Sequence, residues 1–301
     1  MKILIAGSHG MVGSTVAARL IGHGHEVVRL VREEPREGEV YWDPDAGRID
    51  VHGLEGFDAV IQLASMPWPM RWTAKARKKL RANRSTTYRL LADALAACTR
   101  KPRVLVCASG IGVYSSSGDE LITENTAPTA SFLSTVDRVG ETATLSAEAA
   151  GIRVVHLRIP PVMGGAALQR MGFRAGDGQQ WMSWVARDEL PAIIEFAMNN
   201  GTLSGPVNAV SPSPLRNAVF AATAARALNG KPGGSMPAFL VRLLLGEMGE
   251  EFALASRRVQ PAKLLAAGYR FEYAELECAV RHEMEFVKAG VAGNVHEALA
   301  A

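Results

Sequence analysis

Cysteine is scarce in this chain. Cys98, Cys107 and Cys278 are the three in 301 residues, too few and too widely spaced for a disulfide framework or a cysteine-based metal centre. They read as reduced thiols, with Cys107 packed inside an apolar strand, and no metal site is expected. Apolar runs of the roughly 20 residues that a membrane helix needs are missing. No leader precedes the first strand, so a cytoplasmic protein without signal peptide or membrane contact is expected. Charge of one sign is missing too: 33 Lys and Arg stand against 30 Asp and Glu, so no global field favours nucleic acid or an acidic membrane surface. Aromatics make up 6%, and the basic stretch 75–84 contains none, which removes the stacking platform that a single strand of nucleic acid requires. What remains is ample for a core: 48% of the residues are hydrophobic, enough for one large domain or two modest ones.

The first thirteen residues, MKILIAGSHGMVG, organise the rest. Lys2-Ile3-Leu4-Ile5-Ala6 is a short apolar run suited to a strand buried on both faces. Gly7, Gly10 and Gly13 follow at three-residue spacing, and 12–21 read as a helix with Val12, Val16, Ala17 and Leu20 on one stripe. Strand, glycine turn and helix in that order make a phosphate cradle. Glycine permits the tight turn and the close approach, and the N-terminal N–H groups meet the anion. At Gly10 a side chain is expected to clash with the phosphate or to meet a positive φ. A second strand over 26–31 ends at Arg32, where an arginine suits the 2′-phosphate of NADP. Arg29 is a second candidate, and Glu33 keeps NAD open.

Further strands are read over 57–64, 103–108 and 152–157, with helices over 73–98, 136–150 and 188–198. Thr73 is placed as the cap of the long helix. Most of that helix's basic residues read as a solvated face, while Arg71 and Arg84 are candidates for a substrate or cofactor phosphate. Ser109 leaves the 103–108 strand at its carboxyl edge, the ligand-binding edge of a doubly wound sheet. Past residue 210 the pattern turns helical, over 215–228, 239–245, 261–267 and 274–287, interrupted by a glycine and proline linker over 229–237.

Several segments carry a resemblance: Gly7-Ser8-His9-Gly10-Met11-Val12-Gly13, Tyr41-Trp42-Asp43-Pro44, Arg71-Trp72-Thr73, Trp181-Met182-Ser183-Trp184, and Arg258-Val259-Gln260-Pro261. Together they resemble extended short-chain dehydrogenases/reductases, in particular the sugar-nucleotide epimerase-like branch with a small C-terminal domain of unknown function. The resemblance implies an α/β fold, a Rossmann-type doubly wound parallel sheet with a smaller, mostly helical C-terminal lobe. Residues 1–158 and 186–210 would form the first domain, and 159–185 with 211–301 the second. It implies NADP as cofactor, held by Gly7, Ser8, His9, Gly10, Met11, Val12 and Gly13 at the pyrophosphate, Arg32 at the 2′-phosphate, and Leu63, Ala64, Ser65 and Ala108 along the crevice. It implies Ser109 and Tyr114 as catalytic residues donating to a substrate oxygen, which favours carbonyl reduction. Arg71, Trp72, Met182 and Ser183 would stand on the substrate side. The expected partner is a small-molecule substrate, a polar carbonyl or sugar, with a nucleotide-linked one among the candidates, and the chain is left open to a homodimer.

The sequence also departs from that family. Gly7-Ser8-His9 stands where Gly-Gly-Thr is usual, Ser65 replaces a glycine, and 164–178 is shortened. The superfamily's tyrosine-x-x-x-lysine pair falls on Leu133 and Asp137. An NADP-binding regulatory or sensor protein without turnover therefore stands beside the enzyme as an alternative.

Overall fold

A computed structural model describes residues 1–67, 72–164, 173–229 and 234–288. The apolar N-terminal run forms β1 (Lys2–Ala6), with Ile3 to Ala6 shut off from solvent on both faces. The other strands of the principal sheet are β2 (Glu26–Val31), β3 (Glu39–Asp43), β4 (Arg48–Ile49), β5 (Ala59–Gln62), β6 (Val104–Gly110), β7 (Arg153–Ile159) and β8 (Gly205–Asn208). Their order is β8-β7-β6-β5-β1-β2-β3-β4, parallel throughout except for the antiparallel β3–β4 pair at the edge. β1 sits in the middle with β2 on one side and β5 on the other, so the chain reverses its winding there. This is the expected Rossmann-type arrangement, with its crevice beyond the carboxyl ends of β1 and β5.

Helices cover both faces. α1 (Met11–Gly22) packs Val16, Ala17 and Leu20 on one face of the sheet, beside Leu190, Ile193, Ile194 and Ala197 of the helix Glu189–Asn199. On the other face lie α2 (Ala74–Ala97), contributing Tyr88, Leu91, Ala92 and Leu95, and the short helix Leu145–Ala149. Thr73 caps α2 as expected: its hydroxyl accepts from the Ala76 N–H at 3.2 Å. The single helix expected over 136–150 is two. α3 (Phe132–Thr142) starts earlier because the Ser131 hydroxyl accepts from Ser134 N. It ends where the Thr144 hydroxyl donates to the Glu141 carbonyl.

Beyond β8 the described residues form four main helices, Asn217–Asn229, Ala238–Leu245, Ala262–Ala266 and Leu276–Lys288. A separate small core of Trp184, Phe220, Ala224, Leu276 and Val280 holds this part together. Leu215 and Arg216, read from the sequence as helix, instead pair antiparallel with Trp181 and Met182. The linker read over 229–237 lies partly outside the described residues, and its end, Ser235–Met236, pairs with Arg174–Ala175. Arg258–Val259 runs parallel to Leu121–Ile122, which sews the helical lobe to the loop after β6. Among the described residues no helix is long and apolar enough to cross a membrane.

Candidate functional site

The turn after β1 assigns a different task to each glycine. Gly7 has φ +82°, and a Cβ on it would lie 2.7 Å from the Ala64 nitrogen. A Cβ on Gly13 would lie 2.0 Å from the Gly7 carbonyl oxygen. Both glycines serve the fold, one by turning the chain and the other by letting α1 approach β1. Gly10 is different. Its φ is −72°, not the positive value that the sequence suggested, and a Cβ there would meet only the Gly7 oxygen, at 3.5 Å. The fold has room for a side chain at Gly10 and does not itself require glycine there. Gly10 is also the N-cap of α1. No side chain caps that end and no acidic residue stands in its first turn, so the N–H groups and positive dipole end are left for an anion. Beneath the lip the Ser8 hydroxyl is buried without a hydrogen-bond partner. His9, Gly10 and Met11 are exposed around it, and Val12 is half-buried. Vacancy, uncapped terminus and orphaned hydroxyl together fit a pyrophosphate.

The neighbouring strand ends complete the crevice. Arg32 is exposed just past β2, its guanidinium 6.0 Å from the ring centroid of the buried Trp42. Arg29 lies within β2, level with Ile5 and Glu39. Past β5, Leu63 N donates to the Ala6 carbonyl and Ala64 N to Gln62 Oε1, which sets this loop against Gly7 and leaves Ser65 exposed.

At the end of β6, Ala108 is half-buried, its carbonyl accepting from the Tyr88 hydroxyl of α2. Ser109 donates to Glu141 Oε1 at 2.8 Å. Arg158 of β7 grips the same carboxylate with two N–H groups, each at 2.9 Å. Burial works against the Glu141 charge, but the hydrogen bonds and positive charge of Arg158, with the bond from Ser109, hold its carboxyl below the usual range. Arg158 also donates to the Tyr114 hydroxyl at 2.9 Å, and Tyr114 donates to Asn208 Oδ1 at 2.7 Å. Tyr114 is fully buried, and that burial raises its phenol above the ordinary value. Its hydroxyl is shut off from solvent and engaged by Arg158 and Asn208, which runs against the expectation that it donates to a substrate. Glu141, Arg158 and Asn208 carry this network, and sequence reasoning had not singled them out as site residues. The available signal was Arg158 itself, a charge inside the otherwise apolar run of β7.

The expected substrate-side residues separate. Arg71 lies outside the described residues. Trp72 packs edge-on against Phe132 at 5.0 Å and Phe252 at 6.0 Å, on the wall formed by α3. Ser183 is buried, donating to the Arg257 carbonyl and accepting from Val259 N, both at 2.9 Å, and so joins two segments of the lobe. Met182 offers its sulfur to the Asn217 amide.

Residues 3–210 match the NAD dependent epimerase/dehydratase family. The chain belongs to this family. Residues 236–283 match a domain of unknown function, DUF1731. An epimerase family protein of Mycobacterium leprae is 36% identical over 284 residues, covering 90% of this chain and 92% of the relative. The epimerase family protein YfhF of Bacillus subtilis is 30% identical over 295 residues, covering 93% and 97%. Among solved structures, human epimerase family protein SDR39U1 (isoform 2), crystallised with NADPH, has a TM-score of 0.82 at 27% identity, over 95% of this chain and 99% of that one. A nucleoside-diphosphate sugar epimerase from Corynebacterium glutamicum has a TM-score of 0.81 at 31% identity over 99% of this chain, which spans 61% of that protein.

In this epimerase/dehydratase family member the positions expected for tyrosine and lysine, Leu133 and Asp137, both lie buried on α3. Asp137 pairs with Arg84 of α2 at 3.2 Å. Burial pushes its carboxyl up to about 6 against the pull of Arg84. Arg84, a phosphate candidate by sequence, is thus buried in an ion pair.

Proposed function

We propose that this chain binds NADP(H) and acts as an oxidoreductase or epimerase on a small polar compound of the nucleotide-linked sugar class. The observation that carries the reading is Gly10: a glycine the fold itself does not require, at an uncapped helix N-terminus, is explained by a phosphate that must come close. Arg32, one strand over, supports NADP over NAD, and the human relative solved with NADPH points the same way. In this reading residues 1–158 and 186–210 hold the dinucleotide, and 159–185 with 211–301 close the substrate side.

When bound, the nicotinamide supplies or takes up a hydride. Ser109 directs its hydrogen to Glu141, so it turns lone pairs towards the crevice and accepts from a substrate hydroxyl. Arg158 keeps Glu141 ionised and a weak base, so the pair fixes the direction of the Ser109 hydroxyl and orients the substrate hydroxyl without taking its proton. This reverses the carbonyl-donor role expected for Ser109. One observation favours the second reading, an NADP-binding regulator: neither Leu133 nor the sealed Tyr114 can exchange a proton with a ligand.

Titration calorimetry with NADPH and NADH tests the binding. The expected result is a preference for NADPH of about ten- to a hundredfold, the worth of a charge-assisted hydrogen bond, which is lost in Arg32→Gln. Equal affinities in the wild type would remove Arg32 from the site. Single-turnover absorbance of the bound nicotinamide with a panel of UDP- and TDP-sugars then separates enzyme from regulator.

A further inference from the structure

The Arg84–Asp137 pair occupies the place where the resembled superfamily keeps its lysine, and the surrounding chain is cut away to admit it. A Cβ on Gly110 would lie 2.7 Å from Asp137 Oδ2, and one on Gly112 would lie 3.1 Å from it. A Cβ on Gly140 would lie 3.0 Å from Arg84 Cδ. Arg84 also donates to the Tyr88 hydroxyl at 2.7 Å, and Tyr88 in turn donates to the Ala108 carbonyl, one residue before Ser109. On its other side Arg84 walls a small cavity together with Ser65, Met66 and Asn83. The guanidinium therefore stands between the loop after β5 and the end of β6. With the pyrophosphate at Gly10, the nicotinamide half of a dinucleotide must cross that interval.

Stability alone gives little reason to keep such a pair. A buried arginine and carboxylate lose hydration, and apolar replacements of similar volume are often as stable. The bonds to Tyr88 and Asp137 use two of the guanidinium's five N–H donors.

We propose that Arg84 supplies a cationic group to the crevice from α2, hydrogen-bonding the hydroxyls of the nicotinamide-side ribose, with Asp137 fixing the guanidinium and balancing its charge. The inference rests on the dinucleotide reading above.

The full chain is titrated with two probes, NADPH and adenosine 2′,5′-bisphosphate. The second carries the 2′-phosphate and lacks the nicotinamide ribose. Arg84→Met is compared with the double variant Arg84→Met/Asp137→Leu, which removes both buried charges and keeps the volume filled. Both variants are expected to lose about tenfold in NADPH affinity and nothing in bisphosphate affinity, while Arg84→Lys recovers part of the loss. If the double variant binds NADPH like the wild type, or if both probes weaken in parallel, Arg84 serves the fold alone and the proposal is overturned. A wild type that binds neither probe overturns the dinucleotide reading itself, and this inference with it.

Discussion

Ser109 donates its hydroxyl hydrogen bond to a carboxylate, Glu141, that Arg158 already holds by two hydrogen bonds. Removing that carboxylate's charge strands a buried guanidinium. Glu141→Gln is expected to cost about 3 kcal/mol of stability, the scale for breaking a buried pair, whereas Ser109→Ala costs about 1 kcal/mol. Equilibrium urea unfolding of the two variants measures both, and equal midpoint shifts would contradict the central position given to Glu141.

The glycines of the first turn should separate by role. Gly7→Ala must adopt a positive φ against the Ala64 backbone, and Gly13→Ala drives a methyl into the Gly7 carbonyl. Each is expected to destabilise the fold by about 1–3 kcal/mol or more. Gly10→Ala should unfold at the wild-type urea concentration and lose most of its NADPH affinity. A Gly10→Ala protein with unchanged affinity would show that no phosphate approaches there.

Tyr114→Phe removes a hydroxyl that serves Arg158 and Asn208 at once. Leaving those groups unsatisfied is expected to cost about 1–3 kcal/mol, with NADPH affinity within twofold of the wild type. Once a sugar nucleotide that turns over is in hand, the variant should keep most of its single-turnover rate. A rate lost while binding and folding persist would restore Tyr114 to the chemistry.

Two buried groups give the stability a pH signature. Burial lowers His156 to about 4, with Thr144, Glu141 and Arg158 as its polar and charged surroundings. Its contribution is whole above its unfolded value near 6.5 and is lost as pH falls towards 4. Asp137, faced by Arg84, Tyr88, Glu141, Arg158 and Arg257, is raised to about 6, so its contribution is whole below about 3.8 and is lost as pH rises through 6. Between pH 4 and 6 the two slopes oppose each other, each spanning about 3 kcal/mol. His156→Gln removes one of them, so the variant should gain on the wild type by about that amount when pH drops from 7 to 4. Urea midpoints at the two pH values check this, and parallel profiles would refute it.

The sheet was legible because its central strands are continuous β-branched runs, and the cradle because Gly7, Gly10 and Gly13 are spaced along one turn. Which glycine does what was not legible: the contacts of Gly7 come from Leu63 and Ala64, far along the chain. The Glu141–Arg158–Tyr114 network was hidden for the same reason, its partners being 17 and 44 residues apart. Arg84 shares a helix with Lys75, Lys78 and Lys79, and spacing along one helix does not reveal that α3 will cover one turn of it. The strand at Leu215–Arg216 is two residues long, too short to show any period.

The seam between Arg258–Val259 and Leu121–Ile122 reaches further than two residues of pairing. Around it the Arg257 guanidinium donates to the Tyr114 carbonyl, the Asn208 amide donates to the Gln260 carbonyl, and Glu124 accepts from both Asn208 N and Lys263 N. The last strand of the sheet and the support of Arg158 are thus completed by residues from near the C-terminus. A truncated chain ending at residue 210 would expose the amide of Asn208 and the main chain of Tyr114 together. The sheet and the helical lobe should therefore melt in one transition.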